Sequence, residues 1–114
     1  MHERPRKHRQ GEGIQFLTGL HYPVWFAAIR EPGQDRVTIL MDDFGGGPGV
    51  LLLQNAHDLD QFARNCQHAA ADGHPCESTP VEIRSRRDLS EWMRGPARAH
   101  GAHMIYLWEQ VRGR

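Results

Sequence analysis

Apolar residues keep two different spacings along this chain. In the first half they alternate with polar residues or run together for four to eight positions, as in strands. Later they recur every three or four positions, as on one side of a helix. The early runs are residues 14–18 (IQFLT), 24–31 (VWFAAIRE), 36–42 (RVTILMD) and 50–54 (VLLLQ). Within 36–42, Val37, Ile39 and Met41 alternate with Arg36, Thr38 and Leu40, which puts one mostly apolar face on a strand. The runs are separated by GLHYP, by PGQD and by a glycine-rich stretch, MDDFGGGPG. PGQD is turn chemistry: Pro presets φ and Gly is free to take a positive one.

Residues 55–73 change period. Leu59, Phe62, Ala63, Cys66, Ala69 and Ala70 fall on one helical stripe. Asn55 is placed to cap this helix, with Asp58 three residues on, and Gly73 and Pro75 end it. GHPCESTP (73–80) reads as a loop and VEIR (81–84) as a short strand. Ser85 and Asp88 repeat the capping pattern at a second helix, with Leu89, Trp92 and Met93 on one face. Gly95-Pro96 should break or kink that helix, and Gly101 should stop its last turn. HMIYLWE (103–109), aromatic and branched, reads as a closing strand.

The order β-β-β-β-α-β-α-β predicts an α+β fold: a mainly antiparallel sheet of about five to six strands with two helices packed on one face. The 114 residues suit a single domain. That domain is expected over residues 14–114, behind a basic arm at 1–13. In the arm, Arg4, Arg6, Lys7 and Arg9 outweigh Glu3 and Glu12, and no apolar residue anchors it.

Composition narrows the function classes. Fourteen basic residues balance fourteen acidic ones, so the global charge of a strongly basic nucleic-acid-binding domain is absent. No apolar run approaches the roughly 18 residues that span a bilayer. No apolar segment follows the charged N-terminus as in a secretory signal. Two cysteines are too few for a disulfide scaffold. The expectation is a cytoplasmic protein with free thiols, no membrane association and no cofactor.

The glycine stretch raises the question of phosphate binding. A phosphate loop gathers backbone N–H groups and opens directly into a helix. GGGPGV lacks the Lys-Ser/Thr pair of the Walker pattern, loses one donor at Pro48, and leads into the strand-like Leu51-Leu52-Leu53. It reads as a long hairpin connection, one that protrudes. Asp43-Phe44-Gly45 matches the kinase tripeptide, but the chain is far too short for a kinase.

Four further groupings carry candidate chemistry. Cys66, His68, His74 and Cys76 are four zinc-type ligands within eleven residues, but Cys66 and His68 point about 200° apart on a helix and cannot share an ion. Metal binding is therefore not expected. Asp42 and Asp43 with His57 would offer two carboxylates and an imidazole if the hairpin folded back beside the helix start. The arm, with Arg84, Arg86 and Arg87, could meet phosphates. Trp25-Phe26 and Leu107-Trp108 are adjacent pairs, so in strands one member of each points away from the helices. A sheet face left uncovered by two short helices would be an interface. The leading expectation is thus a binding or regulatory protein rather than an enzyme. It would meet another protein, or itself as a homodimer, through Trp25, Phe26, Phe44 and Trp108 or through the glycine hairpin. A small enzyme or ligand-binding protein using His57, Asp42 and Asp43 is the second reading. Nucleic-acid binding by the arm is the third.

Overall fold

The computed structural model describes residues 19–111. The expected arm and the strand at 14–18 lie outside them. The described residues form the α+β fold that the pattern implies, with sheets that are mainly antiparallel.

The centre is β5 (Pro48–Leu53), whose last five residues are all buried. One edge of β5 pairs with β8 (Met104–Leu107), the sheet's single parallel neighbour. Its other edge is shared end to end. β4 (Met41–Asp43) takes Pro48 to Val50, and β1 (Val24–Phe26) takes Leu52 and Leu53. Beyond β1 lies β7 (Val81–Ile83).

Two of the expected strands are each split by a corner. The run at 24–31 bends at Ala27, and its second part, β2 (Ala28–Arg30), joins a smaller sheet with β3 (Thr38–Ile39) and β6 (Glu77–Ser78). The run at 36–42 changes sheet at Leu40, whose amide donates to the Ala27 carbonyl at 3.0 Å. Ala27 and Ala28 are fully buried, and their methyl groups leave room for the chains to cross the corner. Val37 falls before β3 and is exposed. β6 lies in the segment read as a loop. Its two residues carry little strand signal of their own and are set by pairing with β2.

The helices start and stop where the capping residues indicated. Asn55 Oδ1 accepts from the Asp58 amide at 2.9 Å and opens α1 (Ala56–Ala71). Asp58 Oδ2 reaches back to accept from the Gln54 amide at 2.9 Å. Ser85 caps α2 (Arg86–Trp92) in the same way, through the Asp88 amide. Gly95-Pro96 does not break this second helix. The chain widens into a π-helical turn, Met93–Ala97, and continues. Pro96 has no N–H to give, and a wider turn relieves the clash between its ring and the preceding carbonyl. After β8 the expected strand also ends early: Trp108–Val111 forms a short helix, α3.

The helices do not share a face. Val50 and Leu52 of β5 pack with Phe26, Ile83 and Leu107 under Leu89 of α2 and Ala97 of the π turn. Leu51 and Leu53 pack on the other side with Phe62 and Cys66 of α1 and with Trp108 and Val111. The cause is the unbroken apolar run Val50 to Leu53. A strand apolar on both sides needs cover on both sides, and one helix goes to each. No helix among the described residues is long and apolar enough to cross a membrane.

Candidate functional site

The glycine stretch folds into a turn closed from within. Asp43 Oδ1 accepts from the amides of Gly45 at 2.8 Å and Gly47 at 3.1 Å. The Tyr106 hydroxyl, arriving from β8, accepts from the Gly46 amide at 3.0 Å and donates to the Gly47 carbonyl at 2.6 Å. Three successive glycine amides are thus held by oxygens of the chain itself, which leaves none pointing at a phosphate. Gly45 and Gly47 have φ of 110° and 108°, backbone that side chains rarely tolerate. A Cβ on Gly46 would stand 3.0 Å from Met104 Cε and 3.1 Å from the Tyr106 hydroxyl. Phe44 packs edge-on against the Tyr106 ring, with centroids 5.2 Å apart.

This turn caps one end of the main sheet. Met41 pairs with Val50 and Met104 with Gly49, so the two methionines stand on the two edges of the start of β5 and on opposite faces of the sheet, with Met104 on the side of Tyr106 and the turn. Each is 37% exposed, which is unusual for large apolar side chains in this fold. Phe44 is half-buried against the Tyr106 ring. The end of the sheet is therefore a shaped turn with exposed Met104 on one face and exposed Met41 on the other.

The other sequence-predicted residues are placed as follows. Asp42 Oδ1 accepts from the Asp43 amide, and Asp43 closes the turn, so both carboxylates serve local backbone. His57 sits in the first turn of α1, beyond the opposite end of β5. Six strand residues separate the two ends, roughly 17 to 20 Å. The fold does not bring His57 to Asp42 and Asp43. Phe26 and Trp108 are buried in opposite clusters, and Trp25 packs against the cluster under α1. The sheet face expected to be uncovered is covered within the chain. Trp108 Nε1 donates to Gln61 Oε1 at 3.2 Å, and its ring meets Phe62 edge-on.

Cys66 lies on the buried stripe of α1 and Cys76 in the segment that follows the helix. His68 and His74 are exposed. Among the described residues no three His, Cys, Asp or Glu side chains gather closely enough to hold a metal ion. Burial, and then the neighbouring Cys76 thiol, push the Cys66 thiol up to about 11. Arg4, Arg6, Lys7 and Arg9 lie outside the described residues. Arg84 and Arg87 are engaged with Glu82 and Glu91 at 2.9 and 3.4 Å.

Two features were not singled out from the sequence. One is the Tyr106 hydroxyl with Met104 beside it; its partners are some sixty residues away, beyond any local pattern. The other is an open groove of about 440 Å³ lined by Gln61, Arg64, Asn65, His68 and Trp108. Its polar wall recurs at helical spacing on the face of α1 opposite the apolar stripe, a signal the sequence does contain. No family model, curated protein or solved structure matches the chain.

Proposed function

We propose that the chain is a protein-binding module whose contact surface is the glycine turn and the end of the main sheet around it. The observation that carries this reading is the closure of the turn by Asp43 and Tyr106 beside exposed Met104, with exposed Met41 on the other face of the same sheet end. A turn fixed by its own hydrogen bonds presents one shape and loses little entropy when a partner arrives. Methionine and aromatic side chains are enriched in the cores of protein interfaces, and a thioether adapts its shape to what it meets. Glycine backbone at the tip lets a partner approach closely. Enzymatic chemistry by His57, Asp42 and Asp43 has no support in their placement.

Photo-crosslinking tests the proposal. A benzophenone amino acid is placed at position 41 or 104, with exposed His57, beyond the opposite end of β5, as the control position. Irradiation of cells making the full chain is expected to yield one discrete adduct from 41 and from 104, and none from 57. The adduct should disappear when Gly46→Val displaces the turn. Equal labelling from all three positions, or none from 41 and 104, would overturn the reading.

A further inference from the structure

Cys66 and Cys76 meet in the fold, and the chain between them is built to hold them there. The Cys76 thiol donates to the Cys66 carbonyl oxygen at 4.0 Å, and the Cys76 thiol is near enough to add to the rise in the Cys66 pKa. The first helix ends in a Schellman motif. The Gly73 amide donates to Ala70 O at 3.2 Å and the His74 amide to Ala69 O at 2.8 Å, with Gly73 at φ 90°. This reversal sends Pro75 and Cys76 back along the helix they have just left. Immediately afterwards, Glu77 and Ser78 pair with Arg30 and Ile29 of the smaller sheet, and Glu77 forms an ion pair with Arg30. Cys76 is thus fixed from both directions. Cys66 lies on the buried stripe in the cluster that holds Phe62 and Trp108, and Cys76 packs against that cluster.

We propose that Cys66 and Cys76 form a reversible intrachain disulfide, a redox-operated clasp between the first helix and the smaller sheet. The oxidant class is a low-molecular-weight disulfide, RSSR. Cys76, the more exposed thiol, loses its proton to solvent and attacks one sulfur of RSSR. A mixed disulfide forms on Cys76 and one RS⁻ leaves. Cys66 then gives up its proton and attacks the Cys76 sulfur, expelling the second RS⁻. Both thiolates that leave take up a proton, so two protein thiols and one RSSR become one protein disulfide and two RSH. The order of attack follows from the environments. Burial keeps Cys66 protonated and shielded from an outside oxidant, which suits it only to the second step.

The test uses the purified, reduced full chain, incubated with oxidised glutathione and read by intact mass. The wild type is expected to lose two hydrogens, to retain no glutathione, and to recover both thiols in dithiothreitol. Cys66→Ser is expected to stop at a stable glutathione adduct on Cys76, and Cys76→Ser to take up none. The wild-type measurement stands alone should either variant fail to fold. A wild type that keeps glutathione on Cys76, runs as a disulfide-linked dimer, or stays fully reduced would overturn the proposal.

Discussion

The hydroxyl of Tyr106 holds Gly47 by its carbonyl, at 2.6 Å, across fifty-nine positions of sequence. The same oxygen accepts from the Gly46 amide, so one side chain of β8 fixes two peptide groups of a turn that would otherwise depend on water. Tyr106→Phe keeps the ring packed on Phe44 and removes only this oxygen. Losing two hydrogen bonds at a half-buried site should cost about 1–2 kcal/mol. Urea unfolding checks the size of the loss. An unchanged midpoint would mean that the turn adds nothing to the fold.

Asp58 is the buried charged residue among those described, at 2% exposure. It is tied to the Gln54 amide, and its own amide is tied to Asn55. Asp58→Ala should therefore destabilise the chain by about 1–3 kcal/mol, because the half-buried Gln54 amide loses its acceptor, while the Asn55 cap on the backbone of residue 58 is kept. Thermal unfolding should show a fall of several degrees. Asp60→Ala, which removes an exposed ion pair with Arg64, should show almost none.

The same substitution should act with opposite sign at two glycines. A Cβ on Gly49 would lie 2.7 Å from the Met104 carbonyl oxygen, across the pairing of β5 with β8. Gly49→Ala should destabilise by about 1–3 kcal/mol through overpacking. Gly95 has nothing within 4 Å of its missing Cβ and lies within the helical run. Gly95→Ala should stabilise by about 0.5–1 kcal/mol through helix propensity. Paired denaturation curves measure both.

Cys66 makes stability depend on alkaline pH. Its thiol is neutral when protonated, and the fold raises its pKa from 9.0 to about 11, through burial first and then Cys76. The unfolded chain therefore releases this proton before the folded one does. The contribution is fully present below pH 9 and is lost as pH rises from there toward 11. The stability gap between wild type and Cys66→Ala should narrow over that interval. A gap that stays constant from pH 8 to 11 would show that the thiol does not titrate differently in the two states.

The parts of the fold legible in the sequence are the local ones. Asn55 with Asp58, Ser85 with Asp88, and the stops at Gly73 and Gly101 announce themselves because a cap is made by residues three apart and a stop by one positive φ. The corners at Ala27 and Leu40 are not legible in the same way. Small buried residues permit a bend, but only pairing with distant strands requires it. β6 depends on β2 forty-seven residues earlier and has no pattern of its own. The placement of the helices was written in the chain: Val50 to Leu53 is apolar without a break, and such a run signals cover on both sides. Trp25-Phe26 and Leu107-Trp108 do face opposite clusters, and the second helix supplies the cover that a partner was expected to supply. At the candidate site, Asp42 and Asp43 are the turn formers that paired aspartates at a strand end suggest. The role of Tyr106 comes from tertiary structure alone.

Amide hydrogen exchange at Gly45, Gly46 and Gly47 in the isolated protein tests most directly whether the contact surface is preformed. The account predicts that all three exchange slowly, and that Tyr106→Phe selectively speeds exchange at Gly46. Exchange at the rate of an unstructured peptide in the wild type would contradict it, because the turn would then take its shape only when a partner imposed one.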